Sequence, residues 1–236
     1  MARPEDGGDV RRLVGLMRTR SPLFGLIYEF NLLPSRYMHE SWAEALFTPD
    51  LWQRLRRSRR AERALSRLVL DDLGVTGTFP AAVYDEPRAR LALLSPDAVE
   101  RVSLRVGVVL GGAALRRVID REGVARLRTG LGEDAYSFAI QRAPLLATAS
   151  QVAETHDDAD VAALPERLVA GGWSILGRAM AGLPAEVLKR FRLKLPREAA
   201  LDFTLSDGSA AAAALAVRVI RETEPRWASL FAAQAA

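Results

Sequence analysis

Two histidines and one acidic stretch are the groups in this sequence that could act on a substrate or hold a metal ion. His39 is followed by Glu40, as in the His-Glu-x-x-His motif of zincins, but Ala43 stands where the second histidine belongs. The chain has no cysteine, which excludes disulfides, thiolate-zinc sites and thiol nucleophiles. We therefore interpret His39 as a packed or helix-capping side chain.

The acidic stretch from Glu154 to Asp160 contains the other histidine, His156. It lacks the alternating ligand spacing and the glycine of a calcium loop, so a solvated linker is the simpler interpretation. The sequence has no phosphate-binding loop, no dinucleotide-binding glycine motif and no nucleophile elbow. We expect a protein that is not an enzyme and that needs no metal or cofactor.

A run of arginines is the most conspicuous charged feature. Its members could form a solvated helix face paired to nearby carboxylates, or an electropositive face for an acidic protein, lipid headgroups or nucleic acid. Nucleic-acid binding usually brings interleaved aromatic residues, and none follows Trp52 in this run. The candidate contact residues are Arg54, Arg56, Arg57, Arg59, Arg60 and Arg63.

The composition is that of a folded globular protein. The 236 residues are 49% hydrophobic and 26% charged, with a formal net charge of +4, and all but two of the 33 basic residues are arginine. This mild charge permits an acidic partner but does not require nucleic acid. The N-terminus has no apolar signal core and no apolar stretch is long enough to span a bilayer, so we expect a cytosolic protein.

Proline after a capping residue marks several helix starts, at Ser21-Pro22, Thr48-Pro49 and Ser95-Pro96. Strand signals are weak, and Leu201–Leu205 is the best candidate. The predicted fold is therefore mainly α, a multi-helix globular bundle of many short helices with at most a few short strands.

The sequence also predicts two helix breaks and one buried stripe. The arginine-rich helical pattern runs to Leu73 with a break near Ser58, and Gly111-Gly112 is expected to separate two helices. The predicted buried stripe of the arginine-rich segment consists of Leu51, Leu55, Leu65, Leu68 and Val69.

The sequence also predicts the domain organisation. Residues 1–8 are polar and glycine-rich, and we expect them to be disordered. Residues 9–236 are expected to form a single helical domain, with the acidic region 150–160 as the candidate boundary between two subdomains.

One segment combines aromatic residues, a helix-breaking proline and polar side chains, from Phe30 to Trp42. It resembles the N-terminal signature of the SctK family (also called YscK, PscK or HrpD-like) of bacterial type III secretion systems. The family pattern is Asn-x-x-Pro-Ser-x-x-x-His-x-Ser-Trp, and Glu40 stands where the family has a proline. The matching positions, called the signature residues below, are Asn31, Pro34, Ser35, His39, Ser41 and Trp42.

Two later segments extend the resemblance. Arg90–Pro96 is similar to the family's Arg-Leu-Ala-Leu-Leu-x-Pro lead into a helix, and Arg192–Pro196 is similar to its Arg-Leu-Lys-Leu-Pro element. With these segments the resemblance spans roughly residues 24–200. It is the order and spacing of the motifs, rather than any one of them, that carries it.

The resemblance implies a non-enzymatic, cytoplasmic subunit of the secretion sorting platform, peripheral to the inner membrane. Such a subunit links the SctQ-type pod protein to the cytosolic domain of the SctD-type inner-membrane ring protein, and indirectly contacts the SctL–SctN ATPase complex. It implies no nucleic-acid partner and no insertion into the membrane. The alternative left open by the residues is an arginine-rich helical binder of nucleic acid or another anionic surface.

Overall fold

The computed structural model describes residues 6–147, 161–199, 201–204 and 207–231, and these fold mainly into helices. None of the described residues lies in a strand, and Leu201–Thr204, in the predicted strand, has no regular structure. The mainly α prediction is confirmed. The α-helices are α1 (Asp6–Arg18), α2 (Pro22–Leu32), α3 (Glu40–Glu44), α4 (Pro49–Arg56), α5 (Arg59–Asp72), α6 (Pro96–Arg117), α7 (Arg121–Leu131), α8 (Glu133–Gln141), α9 (Ala143–Leu146), α10 (Leu164–Met180), α11 (Ala185–Arg192), α12 (Ser209–Thr223) and α13 (Pro225–Ala228).

Short 3₁₀ turns connect several of these helices. The hydrogen bonds of such turns satisfy backbone groups where the chain changes direction. They lie at Pro34–Arg36, Ala82–Asp85, Pro87–Leu93, Val161–Ala163 and Ser229–Phe231.

The chain forms two compact units. Unit 1 consists of Met1–Pro96 with Leu183–Ala200, and unit 2 consists of Asp97–Gly182 with Leu201–Ala236. Each unit is therefore built from two separate stretches of chain.

Unit 1 has an aromatic core. The rings of Phe30 and Tyr37 stack with centroids 5.5 Å apart, and Tyr84 meets Phe30 edge-on at 6.2 Å. Ile27 and Leu91 are fully buried in the same unit. Burial of these side chains contributes strongly to the stability of unit 1.

Unit 2 is organised around the long helices α6, α10 and α12. Two helices approach closely at glycines, since a Cβ added to Gly172 would lie 1.9 Å from the carbonyl oxygen of Ser103 on α6. The buried carboxylate of Glu224 accepts hydrogen bonds from Arg101 at 2.9 Å and from Arg105 at 2.8 Å. These hydrogen bonds lower the pKa of Glu224, the one from Arg101 most.

Much of the region that the domain prediction concerns lies outside the described residues. Helix α1 begins at Asp6, so residues 6–8 of the expected disordered terminus are helical, while residues 1–5 lie outside the described part. The proposed subdomain boundary at 150–160 lies entirely outside the described residues. The boundary between the two units falls at Pro96 and Asp97, and is crossed again after Gly182 and Ala200.

Candidate functional site

The signature residues lie along the turn between α2 and α3 in unit 1. Asn31 belongs to the last turn of α2, and Pro34 and Ser35 open the 3₁₀ turn that follows. His39 is the N-cap of α3, whose first turns contain Ser41 and Trp42. The contacts of these residues decide whether they support the fold or form an open site.

Asn31 ties α2 to a distant loop. Its side chain is fully buried, and Nδ2 donates hydrogen bonds to the carbonyl oxygens of Ile27 at 2.9 Å and Pro80 at 3.5 Å. A buried amide without such partners would destabilise the fold. Asn31 therefore acts inside unit 1.

Ser35 ties the same turn to α5. The hydroxyl groups of Ser35 and Ser66 are 2.7 Å apart, and the backbone N–H of Ser35 donates to Ser66 Oγ at 3.4 Å. Next to this pair, the guanidinium of Arg36 lies 2.9 Å from a carboxylate oxygen of Glu62. The turn after α2 is thus fixed against the middle of α5.

Trp42 and Ser41 bind the C-terminal stretch of unit 1. The indole Nε1–H of Trp42 donates to the carbonyl oxygen of Leu195 at 2.8 Å. The hydroxyl of Ser41 accepts from the backbone N–H of Arg197 at 2.8 Å. Helix α3 is therefore held by backbone atoms more than 150 residues further along the chain.

His39 is a capping residue, as the sequence interpretation proposed. Its Nδ1 accepts from the backbone N–H of Ser41 at 3.2 Å, which satisfies a free donor at the start of α3. Its own backbone N–H donates to the carbonyl oxygen of Leu193 at 2.7 Å. Both contacts are structural.

A buried lysine joins all three segments of the family resemblance. Lys194 donates to the carbonyl oxygens of Ala92, at 2.7 Å, and Leu94. Its ammonium also lies over the rings of Phe30, at 5.0 Å from the centroid, and Tyr37, at 4.9 Å. Carbonyl oxygens and aromatic faces both attract a cation, so they offset part of the cost of burying it.

A second buried cation lies nearby in the same unit. Arg190 is fully buried and donates to the carbonyl oxygens of Thr78 at 2.8 Å and Val75 at 3.1 Å. Burial lowers the pKa of Arg190. Burial also lowers the pKa of Lys194 to about 7, against a smaller opposing effect of the Glu29 carboxylate.

The arrangement around the signature residues is therefore a scaffold. The hydrogen bonds described for Asn31, Ser35, Ser41 and Trp42 all join parts of unit 1 to one another. Sequence reasoning did not identify Lys194 as a member of this scaffold. The only signal was its place in the Arg-Leu-Lys-Leu-Pro element, because its partners lie about a hundred residues earlier.

The arginine run divides into paired and unpaired members. Arg56 pairs with Glu40 at 2.7 Å, and Arg67 approaches Asp71 at 4.0 Å. The side chain of Arg59 lies outside the described part of the structure. The remaining four candidate residues are exposed and have no ion pair within the described residues, and we call them the arginine face: Arg54, Arg57, Arg60 and Arg63.

The positions of these arginines are unfavourable for α5 itself. Arg60 and Arg63 are three residues apart, and Arg67 follows four residues after Arg63, so like charges are neighbours on the helix surface. Such pairs destabilise a helix by about 0.2–0.5 kcal/mol each. Arg60 also lies in the first turn, where the helix dipole disfavours a cation.

Unit 2 carries a surface of different chemistry. A groove of about 1030 Å³ lies between α7 and α10. Most of its lining is small or apolar, including Ala125, Gly130, Pro165, Val169 and Trp173. Grooves of this size and composition can take an apolar side chain or helix of a partner.

In the comparison with protein families, residues 26–232 match the family described as YOP proteins translocation protein K (YscK). The chain belongs to the YscK family. This confirms the predicted SctK resemblance and makes the protein a type III secretion component. Comparison with the curated proteins and with the solved structures gave no significant match.

The YscK match covers both units but begins within α2, so α1 lies outside it. Helix α1 is nevertheless joined to unit 1, because the carboxylate of Asp9 accepts from the backbone N–H groups of Ala81 and Ala82, both at 2.6 Å.

Two features are absent from the described residues of this YscK family chain. No helix among the described residues is long and apolar enough to cross a membrane. No group of three or more His, Cys, Asp or Glu side chains in the described residues could hold a metal ion. The acidic stretch 154–160 lies outside that range.

Proposed function

We propose that this protein is a cytoplasmic adaptor of the type III secretion sorting platform. It links the SctQ-type pod protein to the cytosolic domain of the SctD-type inner-membrane ring protein, and through the pod it connects to the SctL–SctN ATPase complex. The observation that carries the proposal is the YscK family match, which covers residues of both units.

The surfaces of the two units support this role. An adaptor must contact two partners, and units 1 and 2 carry surfaces of different chemistry. Unit 1 carries the arginine face, and unit 2 carries the apolar groove between α7 and α10. Charged and apolar surfaces select different partners, because charge complementarity and apolar burial favour different surfaces.

The internal contacts of unit 1 also suit an adaptor. A protein that transmits position between two partners benefits from a rigid body, and the signature residues connect stretches of chain far apart in sequence. In this proposal the signature residues position the binding surfaces and take no part in catalysis.

A bridging experiment tests the proposed function. The cytosolic domain of the SctD-type protein from the same bacterium is immobilised, and the SctQ-type protein is added with or without this chain. We expect SctQ to be retained only when the chain is present, and we expect a deletion strain to lose secretion. Retention of SctQ by SctD without the chain, or binding of neither protein to the chain, would contradict the adaptor role.

The alternative function, binding of nucleic acid or another anionic surface, depends on the arginine run alone. It predicts strongly salt-dependent binding to DNA or RNA. The same purified protein in a mobility-shift assay at physiological salt distinguishes the two, because non-specific attraction of basic side chains to DNA is screened there and an adaptor without a nucleic-acid partner gives no shift.

A further inference from the structure

We propose that the arginine face is a docking surface for an acidic, leucine-containing segment of a protein partner. The surface combines the arginine face, Arg54, Arg57, Arg60 and Arg63, with the exposed leucine Leu68 on α5. The inference rests on the proposed adaptor function, because it assigns this surface to one of the adaptor's protein contacts.

The pairing state of the neighbouring arginines is the first argument. Arg36 binds Glu29 and Glu62, and Arg56 binds Glu40, so unit 1 provides carboxylates for these two guanidinium groups. Within the described residues, the arginine face has none. Its capacity for bidentate hydrogen bonds to carboxylates is therefore available to another molecule.

The second argument is that these arginines destabilise α5. Arg60, Arg63 and Arg67 repel one another along α5, and Arg60 lies at the positive end of the helix dipole. Neither feature stabilises the folded chain. Carboxylates of a partner would relieve both, so binding of an acidic segment is favoured at this surface.

The exposed neighbours of these arginines indicate the class of partner. Leu68 lies two turns after Arg60 on the solvent-exposed part of α5, and its side chain is 49% exposed. Stacking of nucleic-acid bases would need exposed rings, but the aromatic residue of α4, Trp52, is buried.

A membrane surface is disfavoured for a separate reason. Insertion of an amphipathic helix into a bilayer requires a free apolar face. The apolar face of α5 is already buried inside unit 1 through Leu65, Val69 and Leu70. An acidic protein segment with leucine side chains fits the arginines and Leu68 together.

The test uses the full chain and a fluorescently labelled peptide of repeated Glu-Glu-Leu units. The variants are R60E/R63E and a matched control, R121E/R167E, which makes the same charge change at exposed arginines near the N-termini of α7 and α10. We expect the peptide to bind the wild type more weakly as salt rises. We expect about tenfold weaker binding to R60E/R63E and unchanged binding to the control.

Three results would overturn the inference. They are no binding of the peptide, an equal loss in both variants, or tighter binding of a DNA duplex or of phosphatidylglycerol vesicles than of the peptide. Thermal unfolding of both variants checks that they are folded. No other secretion protein is present in this assay, so its failure is distinguishable from failure of the bridging experiment.

Discussion

Trp42 and Trp52 provide a matched pair for measuring one hydrogen bond of the scaffold. The indole N–H of Trp42 donates to Leu195, whereas the buried indole N–H of Trp52 has no acceptor within the described residues. Trp42→Phe should lower the free energy of unfolding by about 1 kcal/mol beyond any packing loss, because the Leu195 carbonyl loses its donor. Urea unfolding measures this difference.

Trp52→Phe is the control for that experiment. It removes a donor that makes no hydrogen bond, so the free energy of unfolding should fall only by the packing loss of the smaller ring, with no added loss from a broken hydrogen bond. Equal losses in the two variants would show that the Trp42 hydrogen bond contributes nothing specific.

Lys194 should give the stability of the protein a defined pH dependence. Burial lowers its folded-state pKa from 10.5 to about 7, so between these values the unfolded chain binds more protons than the folded one. The contribution of Lys194 to the free energy of unfolding therefore rises with pH from about 7 to 10.5, and it is lowest below pH 7. Unfolding by urea at pH 7, 8 and 9 should show a larger increase for wild type than for K194M. Parallel pH curves would contradict this interpretation.

The residues differ in how far sequence reasoning could predict their roles. The capping role of His39 depends on its immediate neighbour Ser41, so local sequence was sufficient. Lys194 and Trp42 bind partners that are about 100 and 153 residues away. No local pattern identifies such a partner, because the pairing exists only after the chain has folded.

At the scale of helices, Gly171 and Gly172 are neighbours with opposite surroundings. A Cβ on Gly172 would lie 1.9 Å from the Ser103 carbonyl oxygen, whereas one on Gly171 meets nothing within 4 Å. Gly172→Ala should lower the free energy of unfolding by about 2–4 kcal/mol, because backbone must move. Gly171→Ala should raise it by about 0.5–1 kcal/mol through reduced chain entropy. Thermal unfolding of both variants checks this, and a mild effect at Gly172 would contradict the close approach of α6 and α10.

Helix starts were predicted well, and helix interiors less well. The proline starts at Pro22, Pro49 and Pro96 are confirmed as the first residues of α2, α4 and α6, since the chemistry of a helix start is local. The predicted break at Gly111-Gly112 is wrong, because α6 continues through both glycines. A Cβ on Gly111 would lie 2.0 Å from the Leu168 side chain, so the glycine provides close packing rather than a turn.

The predicted buried stripe of the arginine-rich segment is also wrong in part. Leu65 and Val69 are buried, but Leu51 and Leu68 are 42% and 49% exposed. The buried side of α5 is completed instead by Ser66 and Leu70, the former through its contact with Ser35. Apolar side chains alone did not reveal that a serine faces the interior.

The arginine face predicts an unusual response of α5 to loss of charge. R60Q/R63Q removes like-charge neighbours and a cation from the first turn, so the free energy of unfolding should stay equal or rise by up to about 1 kcal/mol. Arg36→Gln, which breaks pairs with Glu29 and Glu62, should lower it by up to about 1 kcal/mol. Urea unfolding at low salt makes the comparison. A loss of stability in R60Q/R63Q would mean that these arginines stabilise the fold.

At the scale of the whole molecule, unit 1 is built from the beginning of the chain and a short stretch near its end. The sequence suggested a boundary at the acidic region 150–160, because composition changes there. Composition could not show that Leu183–Ala200 belongs with the first 96 residues. That association depends on contacts such as those of Arg190 with Val75 and Thr78.

A truncation tests this organisation. A chain ending at Gly182 keeps the first 96 residues but lacks α11 and the stretch that binds Ser41 and Trp42, together with the Leu201–Ala236 stretch of unit 2. We expect its first 96 residues to lose protection from hydrogen exchange, because the carbonyls of Ala92 and Leu94 lose the Lys194 ammonium and the core is opened. Deletion of residues 1–20, which removes α1 and none of the YscK match, is the comparison and should leave protection of α2 to α5 largely intact. Hydrogen-exchange mass spectrometry measures both. Native protection of α2 to α5 in the truncated chain would show that unit 1 folds without its C-terminal stretch, and the boundary would then lie after residue 96 alone.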